Sequence, residues 1–355
     1  MDQLLLVFTG GTIGSIATGR QIDVRSSVSS ELVDRYLQRA GEHAPQLTTM
    51  QPFNILSENL LPQDWIALKE SIADQQPERY SGIIITHGTD TLAYSAAALS
   101  YLFHDTRVPI VMIASNYPLA DPRSRGVQNL EAAIAFICSE RLPGVFVCFE
   151  NKQGEALLHL GSRIRQSAPF TDEYESAYGL PFGQMKDGCF HPVEHAVNPK
   201  LEQLTPLSRS LLPQDAAFTT DVVYIQPYPG LDYSYYSFDQ ANRPQAILHD
   251  LYHSATAGTR SDREGRYSLP AFIHRCRQAG IPVYLCPFKE ENAHLYATSS
   301  VLLEAGAIPL RGITSEAALV KLMLAYGTPS LHPIAATWVQ HTTLLHEHIA
   351  ASAAR

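Results

Sequence analysis

Two short turns rich in glycine and threonine carry the hydroxyl groups that could do chemistry in this sequence. The first is TGGT at residues 9–12, and the second is THGTDT at residues 86–91. Each follows an apolar run typical of a buried parallel strand, at residues 4–8 and 83–85. Loops that leave the carboxyl ends of such strands build the ligand crevice of an open α/β sheet. We therefore expect both turns to face one shared site.

Thr12 is the candidate nucleophile of the first turn. A threonine hydroxyl attacks only when a base takes its proton and backbone N–H groups stabilise the oxyanion that follows. The paired glycines before Thr12 allow backbone amides to approach a substrate closely. The same residues also fit a plain tight turn or a phosphate cradle, although the sequence contains neither GxxxxGK[ST] nor a complete GxGxxG motif.

The second turn offers the hydroxyls of Thr89 and Thr91 and the carboxylate of Asp90, just before a helical run at residues 92–103. Asp90 and Thr91 also fit a simpler role as caps of that helix, because both residue types satisfy free N–H groups at a helix start. His87 fits a structural hydrogen bond better than a general base. We leave it out of the candidate catalytic residues.

The wider pattern predicts two α/β domains. Apolar runs alternate with helix-length segments as far as residue 149, which indicates parallel strands joined by right-handed crossovers. The pattern then weakens into a polar, turn-rich stretch and restarts near residue 222. We predict an N-terminal catalytic domain at residues 1–190, a linker at 191–215 and a C-terminal α/β domain at 216–355. The tail from residue 333 predicts a terminal helix.

Composition narrows the class of partner and the cellular location. The net charge of −9 argues against nucleic-acid binding, which needs clustered Lys and Arg. Five cysteines, an odd number without a CxxC pair, indicate reduced, structural thiols. The sequence has no run of 18 apolar residues and no basic leader, which predicts a cytoplasmic protein that does not bind membranes. The histidine spacing in the tail does not predict a metal site.

With these two turns in this order, the chain resembles the bacterial-type asparaginase and glutaminase family, closest to its cytoplasmic type I branch. IASNYPL at residues 113–119, RSRGVQNL at 123–130 and LLEAG at 302–306 are similar to further family motifs. The resemblance implies an open parallel-sheet N-terminal domain with a smaller α/β C-terminal domain. It also implies hydrolysis of a small carboxamide such as L-asparagine through an acyl-enzyme, without metal or organic cofactor, by a homodimer or homotetramer.

The resemblance also implies roles for individual residues. Thr12 is the nucleophile, Thr89 supplies the second hydroxyl, and Asp90 takes the α-amino group of the substrate and orders the proton network. Ser57 contacts the α-carboxylate of the substrate. The remaining implied contacts come from backbone groups of Gly11, Gly88 and Ser115.

Three positions depart from the family pattern near the expected substrate. Gln166 stands where the family has a Lys that eases deprotonation of the second Thr, and a neutral amide cannot accept a proton near neutral pH. Glu58 follows Ser57 and would oppose a substrate carboxylate, and Arg125 replaces the Asp of the RSDG stretch. These changes favour two alternatives, a different amide, peptide or lactam substrate and a catalytically silent amino-acid-binding protein.

Overall fold

The computed structural model of the chain forms two α/β units, and it describes residues 2–11, 13, 15–18, 21–24, 27–206, 210–239, 241–260, 264–288 and 294–349. The first unit contains the described residues up to Leu211 together with Leu344–His346. The second contains those from Leu212 to Thr343 and those after His346. The linker at 191–215 and the domain limits around it stay predictions.

The first unit is built on an eight-stranded sheet and four helices. Its strands are β1 Gln3–Phe8, β2 Ser15–Thr18, β3 Gln21–Val24, β4 Gln46–Met50, β5 Gly82–Thr86, β6 Pro109–Ile113, β7 Gly144–Glu150, β8 Ala156–Leu160, β9 Gly183–Lys186 and β10 Cys189–Pro192. Its helices are α1 Ser27–Ala40, α2 Pro62–Ala73, α3 Leu92–Leu102 and α4 Gly126–Glu140. Strands β2 and β3 pair separately as an antiparallel hairpin.

The order of the large sheet is β10-β9-β8-β7-β6-β5-β1-β4. Strands β4, β1, β5, β6 and β7 are parallel, while β8, β9 and β10 continue the sheet in antiparallel pairing. The central strands are fully buried because helices cover parallel strands on both faces. Their carboxyl ends lie level, since Phe8 pairs with Thr86 and Thr86 with Ile113. The loops after β1, β5 and β6 therefore leave the sheet side by side.

The second unit has a four-stranded parallel sheet in the order β11-β12-β13-β14. Its strands are β11 Val222–Ile225, β12 Ala246–Asp250, β13 Val283–Phe288 and β14 Ile308–Arg311. Its helices are α5 Leu269–Gln278, α6 Ala297–Glu304, α7 Ser315–Gly327 and α8 Ala335–His341. The predicted fold class is confirmed, with a mostly parallel large sheet and a smaller parallel sheet.

Two sequence expectations fail in detail. The stretch after residue 149 contains strands β8 to β10 as well as turns. The predicted terminal helix is limited to α8, and the chain from Thr342 onward is irregular up to the last described residue. There the buried ammonium of Lys321 binds the carboxylate of Glu347 at 2.8 Å. No helix of the described residues is both long and apolar enough to cross a membrane.

Buried histidines make the stability of the fold depend on pH. Burial lowers the pKa of His87, His159 and His249 from 6.5 to about 4. Between these values the unfolded chain binds protons that the folded chain does not, so the free energy of unfolding falls as pH drops from about 6.5 to about 4. The contribution of each histidine is up to about 3 kcal/mol.

We expect His159→Gln to flatten this pH dependence in part, because glutamine keeps a polar group for the Ser176 hydroxyl that lies 2.8 Å from His159 Nδ1. The measurement is the thermal unfolding midpoint of both proteins between pH 4 and pH 7. An equal loss of midpoint in the two proteins would show that His159 does not contribute.

Candidate functional site

The two glycine turns touch each other and a third loop at the carboxyl edge of the large sheet. A Cβ atom on Gly11 would lie 2.4 Å from the backbone nitrogen of Gly88. A Cβ on Gly88 would lie 2.4 Å from the hydroxyl oxygen of Ser57. Gly10 and Gly11 also have φ of +109° and +78°, a region that side chains rarely adopt. Only glycine permits this close approach of the three segments.

Backbone contacts fix these segments to the strands that carry them. The Thr9 hydroxyl donates to the carbonyl of Thr86 at 2.7 Å, which ties the end of β1 to the end of β5. The backbone nitrogen of Ile55 donates to the carbonyl of Thr9 at 3.0 Å, which brings in the loop after β4. The Thr91 hydroxyl donates to the carbonyl of Ser57 at 3.0 Å. Thr91 occupies the N-cap position of α3, but its hydroxyl bonds the neighbouring loop and does not satisfy a free N–H group of the helix, so the predicted side-chain cap is absent at this residue.

Thr89 is half-buried and Asp90 is exposed at the end of β5. Two side chains of the segment after β8 donate hydrogen bonds to the backbone carbonyls of these residues. The Tyr174 hydroxyl donates to the carbonyl of Thr89 at 2.6 Å, and Gln166 Nε2 donates to the carbonyl of Asp90 at 2.5 Å. Burial and the nearby carboxylate of Asp90 raise the pKa of Tyr174, so its phenol stays protonated and remains a donor. Within the described ranges, no hydrogen bond involves the Thr89 hydroxyl or the Asp90 carboxylate.

Tyr174 is a site residue that sequence reasoning missed. It lies in the turn-rich stretch after β8, in no motif, and its side chain is buried. Its ring packs edge-on against Phe149 at the end of β7, with centroids 4.9 Å apart. An isolated aromatic residue in a polar stretch predicts burial, but it does not indicate what the residue touches.

The structure brings together some of the sequence-predicted site residues. Gly11, Ser57 and Gly88 are in contact, and Gln166 lies against Asp90. Ser115 follows β6, the neighbour of β5, and its hydroxyl donates within its own loop to the carbonyl of Tyr117 at 2.7 Å. The expected nucleophile, Thr12, lies outside the described residues.

Glu58 belongs to a single 3₁₀ turn, Ser57–Asn59, and its side chain is exposed, whereas Ser57 is buried. Water and salt screen an exposed carboxylate, so repulsion of a substrate anion by Glu58 is worth at most about 1 kcal/mol. This is much weaker than the repulsion between two desolvated carboxylates. Glu58 therefore does not exclude a substrate with an α-carboxylate.

His87 makes a structural contact with the second turn. The side chain is buried, with Nδ1 2.8 Å from the carbonyl oxygen of Gly88, and burial lowers its pKa to about 4. The neutral imidazole of His87 therefore stabilises the second turn through its contact with the carbonyl of Gly88. Across the described part of the chain, no cluster of three or more His, Cys, Asp or Glu side chains could hold a metal ion.

Comparison with known proteins gives concordant matches. Residues 3–189, more than half of the chain, match the family described as "Asparaginase, N-terminal". The chain is 29% identical over 331 residues to an L-asparaginase of Thermococcus kodakarensis, covering 92% of this chain and 93% of that protein. It is 28% identical over 335 residues to one component of the glutamyl-tRNA(Gln) amidotransferase of Sulfolobus acidocaldarius, covering 91% of this chain and 70% of that protein.

Solved structures agree with these sequence matches. The thermostable L-asparaginase from Thermococcus kodakarensis superposes with a TM-score of 0.76 at 25% identity, over 98% of this chain and 99% of that chain. L-asparaginase I from Vibrio cholerae shares the fold, with a TM-score of 0.74 at 22% identity over 98% of this chain and 99% of that chain.

Proposed function

Because the chain belongs to the asparaginase family, we propose that it hydrolyses the side-chain carboxamide of L-asparagine or a related amide with Thr12 as nucleophile. The observation that carries this proposal is the direct contact between Gly11 and Gly88. Thr12 follows Gly11 in the chain, and Thr89 and Asp90 follow Gly88. The contact therefore supports a single centre built from both turns.

The proposed reaction has two steps. The Thr12 oxygen attacks the amide carbon, the C–N bond breaks, and ammonia leaves with a proton. Water then hydrolyses the resulting ester to the acid and restores the Thr12 hydroxyl. Backbone N–H groups at Gly11 and Gly88 stabilise the oxyanion in each step.

The remaining roles follow from position. Asp90, exposed at the end of β5, takes the α-amino group of the substrate, and Thr89 beside it relays protons. Ser57 takes the α-carboxylate, and the backbone at Ser115 lines the amide side of the crevice. In this proposal the enzyme needs no metal or organic cofactor and works as a cytoplasmic homodimer or homotetramer.

Gln166 favours a second candidate, a silent amino-acid-binding protein. Its amide nitrogen donates to the carbonyl of Asp90, at the place where the family resemblance implies a Lys. Without an amine the relay through Thr89 loses its proton acceptor, and general acid–base catalysis of this kind contributes about 10²- to 10⁴-fold to rate. The experiment must therefore distinguish a slow enzyme from a protein that binds an amino acid without hydrolysing it.

We expect the wild-type protein to release ammonia slowly from L-asparagine, D-asparagine or L-glutamine, and Gln166→Lys to raise kcat at least about tenfold. Gln166→Met is the matched control, because methionine has similar length but cannot accept a proton. If calorimetry shows that the protein binds an amino acid, and neither wild type nor Gln166→Lys releases ammonia, the silent binding protein is favoured. A kcat that falls in Gln166→Lys would contradict the relay role.

A further inference from the structure

The segment at residues 164–176, which follows β8, is a closed hairpin that reaches the second glycine turn. An antiparallel bridge pairs Ile164 with Ser176, and the backbone nitrogen of Arg165 donates to the carbonyl of Glu175 at 2.8 Å. We call this segment the clamp hairpin. Because its two ends are paired, the side chains that it carries project from a fixed base.

The clamp hairpin is also attached to the loops after β6 and β7. Asn116, in the loop after β6, donates through Nδ2 to the carbonyl of Asp172 at 3.0 Å. The backbone nitrogen of Lys152, in the turn after β7, donates to the carboxylate of Glu173 at 2.9 Å. Both contacts lie directly before Tyr174 in the chain. They therefore hold the backbone of Tyr174 against the ends of two strands of the large sheet.

The side chain of Tyr174 has a hydroxyl that packing alone does not explain. The ring is buried and packs edge-on against the buried ring of Phe149, with centroids 4.9 Å apart. A phenylalanine would make the same ring contact, and a buried hydroxyl costs free energy unless it is hydrogen-bonded. The Tyr174 hydroxyl meets this requirement at the carbonyl of Thr89, at 2.6 Å.

This hydrogen bond orients the peptide unit that joins Thr89 to Asp90. A peptide unit is planar and trans, so holding its carbonyl also sets the direction of the Asp90 N–H. Gln166 Nε2 donates to the next carbonyl, that of Asp90, at 2.5 Å. Two consecutive peptide units of the second turn are therefore held by two side chains of the clamp hairpin.

The position of the Thr89 side chain depends on this backbone support. Within the described ranges, the Thr89 hydroxyl makes no hydrogen bond that would fix it directly. A threonine side chain is β-branched and has few rotamers, so its backbone largely determines where the hydroxyl lies. The contact that holds the backbone of Thr89 therefore also controls the position of its hydroxyl.

We propose that Tyr174 is a positioning residue that acts through Thr89: by holding the Thr89 carbonyl, it places the Thr89 hydroxyl for proton transfer. This inference rests on the proposed function, in which Thr89 relays protons. Tyr174 itself takes no proton in the reaction, because burial and the nearby carboxylate of Asp90 raise its pKa. Since Gln166 holds the Asp90 carbonyl separately, loss of the Tyr174 hydroxyl affects the chemical step more than substrate binding.

The test replaces Tyr174 by phenylalanine, which removes the hydroxyl and keeps the ring against Phe149. With the amide that wild type hydrolyses fastest, we expect Tyr174→Phe to lower kcat at least about tenfold, because a displacement of about 1 Å can cost about a hundredfold in rate. We expect KM to change less than about threefold. Calorimetry should show nearly the wild-type affinity for L-aspartate, the product from L-asparagine.

Tyr284→Phe is the matched control, because it also removes a buried, hydrogen-bonded phenol hydroxyl. The Tyr284 hydroxyl lies 2.7 Å from the hydroxyl of Tyr326 in the second unit. We expect the thermal unfolding midpoint to fall in both variants, since each leaves a hydrogen-bonding group without its partner. We expect kcat to fall in Tyr174→Phe alone.

Three results would overturn the inference while leaving the proposed function intact. They are a kcat of Tyr174→Phe equal to that of wild type, a loss of L-aspartate affinity as large as the loss of kcat, and an equal fall of kcat in Tyr284→Phe. If wild type releases no ammonia from L-asparagine, D-asparagine or L-glutamine, the proposed function is overturned, and the inference with it.

Discussion

Replacing Gly11 by alanine is expected to lower kcat/KM at least about a hundredfold and to destabilise the protein by about 3 kcal/mol. The backbone of Gly11 has φ of +78°, where an alanine costs about 1–2 kcal/mol. Its Cβ would also lie 2.4 Å from the backbone nitrogen of Gly88. The obstructing atom is backbone and cannot rotate away, so the two turns must separate. A displacement of about 1 Å at a catalytic centre can cost about a hundredfold in rate.

Gly41 supplies the matched control for this substitution. Its φ is +59°, and a Cβ built on it would have no atom within 4 Å. Gly41→Ala therefore carries the backbone cost without the collision, about 1–2 kcal/mol, and should leave kcat/KM unchanged. Ammonia release and thermal unfolding of both variants make the comparison. Equal loss of activity in the two variants would show that the Gly11–Gly88 contact does not build the site.

Replacing Thr12 by alanine is expected to reduce kcat at least about a thousandfold, because no other group forms the acyl-enzyme in the proposed reaction. Thr12→Ser keeps a hydroxyl and should recover most of the lost activity, although without the methyl group that restricts the side chain. Substrate binding should survive in Thr12→Ala, since Ser57 and Asp90 are assigned to the α-carboxylate and the α-amino group. A loss confined to kcat, with little change in affinity, separates a nucleophile from a merely structural residue.

The sequence predicts the centre of the fold well because buried parallel strands have an unmistakable pattern. The apolar runs of β1 and β5 end at glycine turns, and the carboxyl ends of adjacent parallel strands must meet at one edge. Helix α3, Leu92–Leu102, is found for a similar reason, as a helix-length run that follows the second glycine turn. Membership of the asparaginase family, inferred from the motifs, is confirmed by the match at residues 3–189.

The antiparallel strands and the supporting contacts are harder to predict. Strands β8, β9 and β10 have four or five residues and are partly exposed, so their pattern of apolar and polar residues is difficult to distinguish from that of a loop. Tyr174 reaches Thr89 across 85 positions of sequence, and no local pattern encodes such a contact. The described tail after α8 is irregular and contains Glu347, which pairs with the buried Lys321, a contact that the local sequence does not indicate.

A charged cavity at the carboxyl ends of β6 and β7 shows the same limit. Its charged residues come from three separate segments, near Arg123, Lys152 and Asp172. In the sequence Arg125 is noticeable only as a departure from a family motif. In the structure it pairs with Glu150 and becomes part of a charged cavity. Only the tertiary fold brings these segments together.

The measurement that tests the central claim most directly is ammonia release from L-asparagine and L-glutamine by wild type and by Thr12→Ala, at equal folded concentration. We predict slow but measurable turnover of at least one amide by wild type and none above background by Thr12→Ala. Equal turnover by the two proteins would contradict Thr12 as the nucleophile and the account built on it.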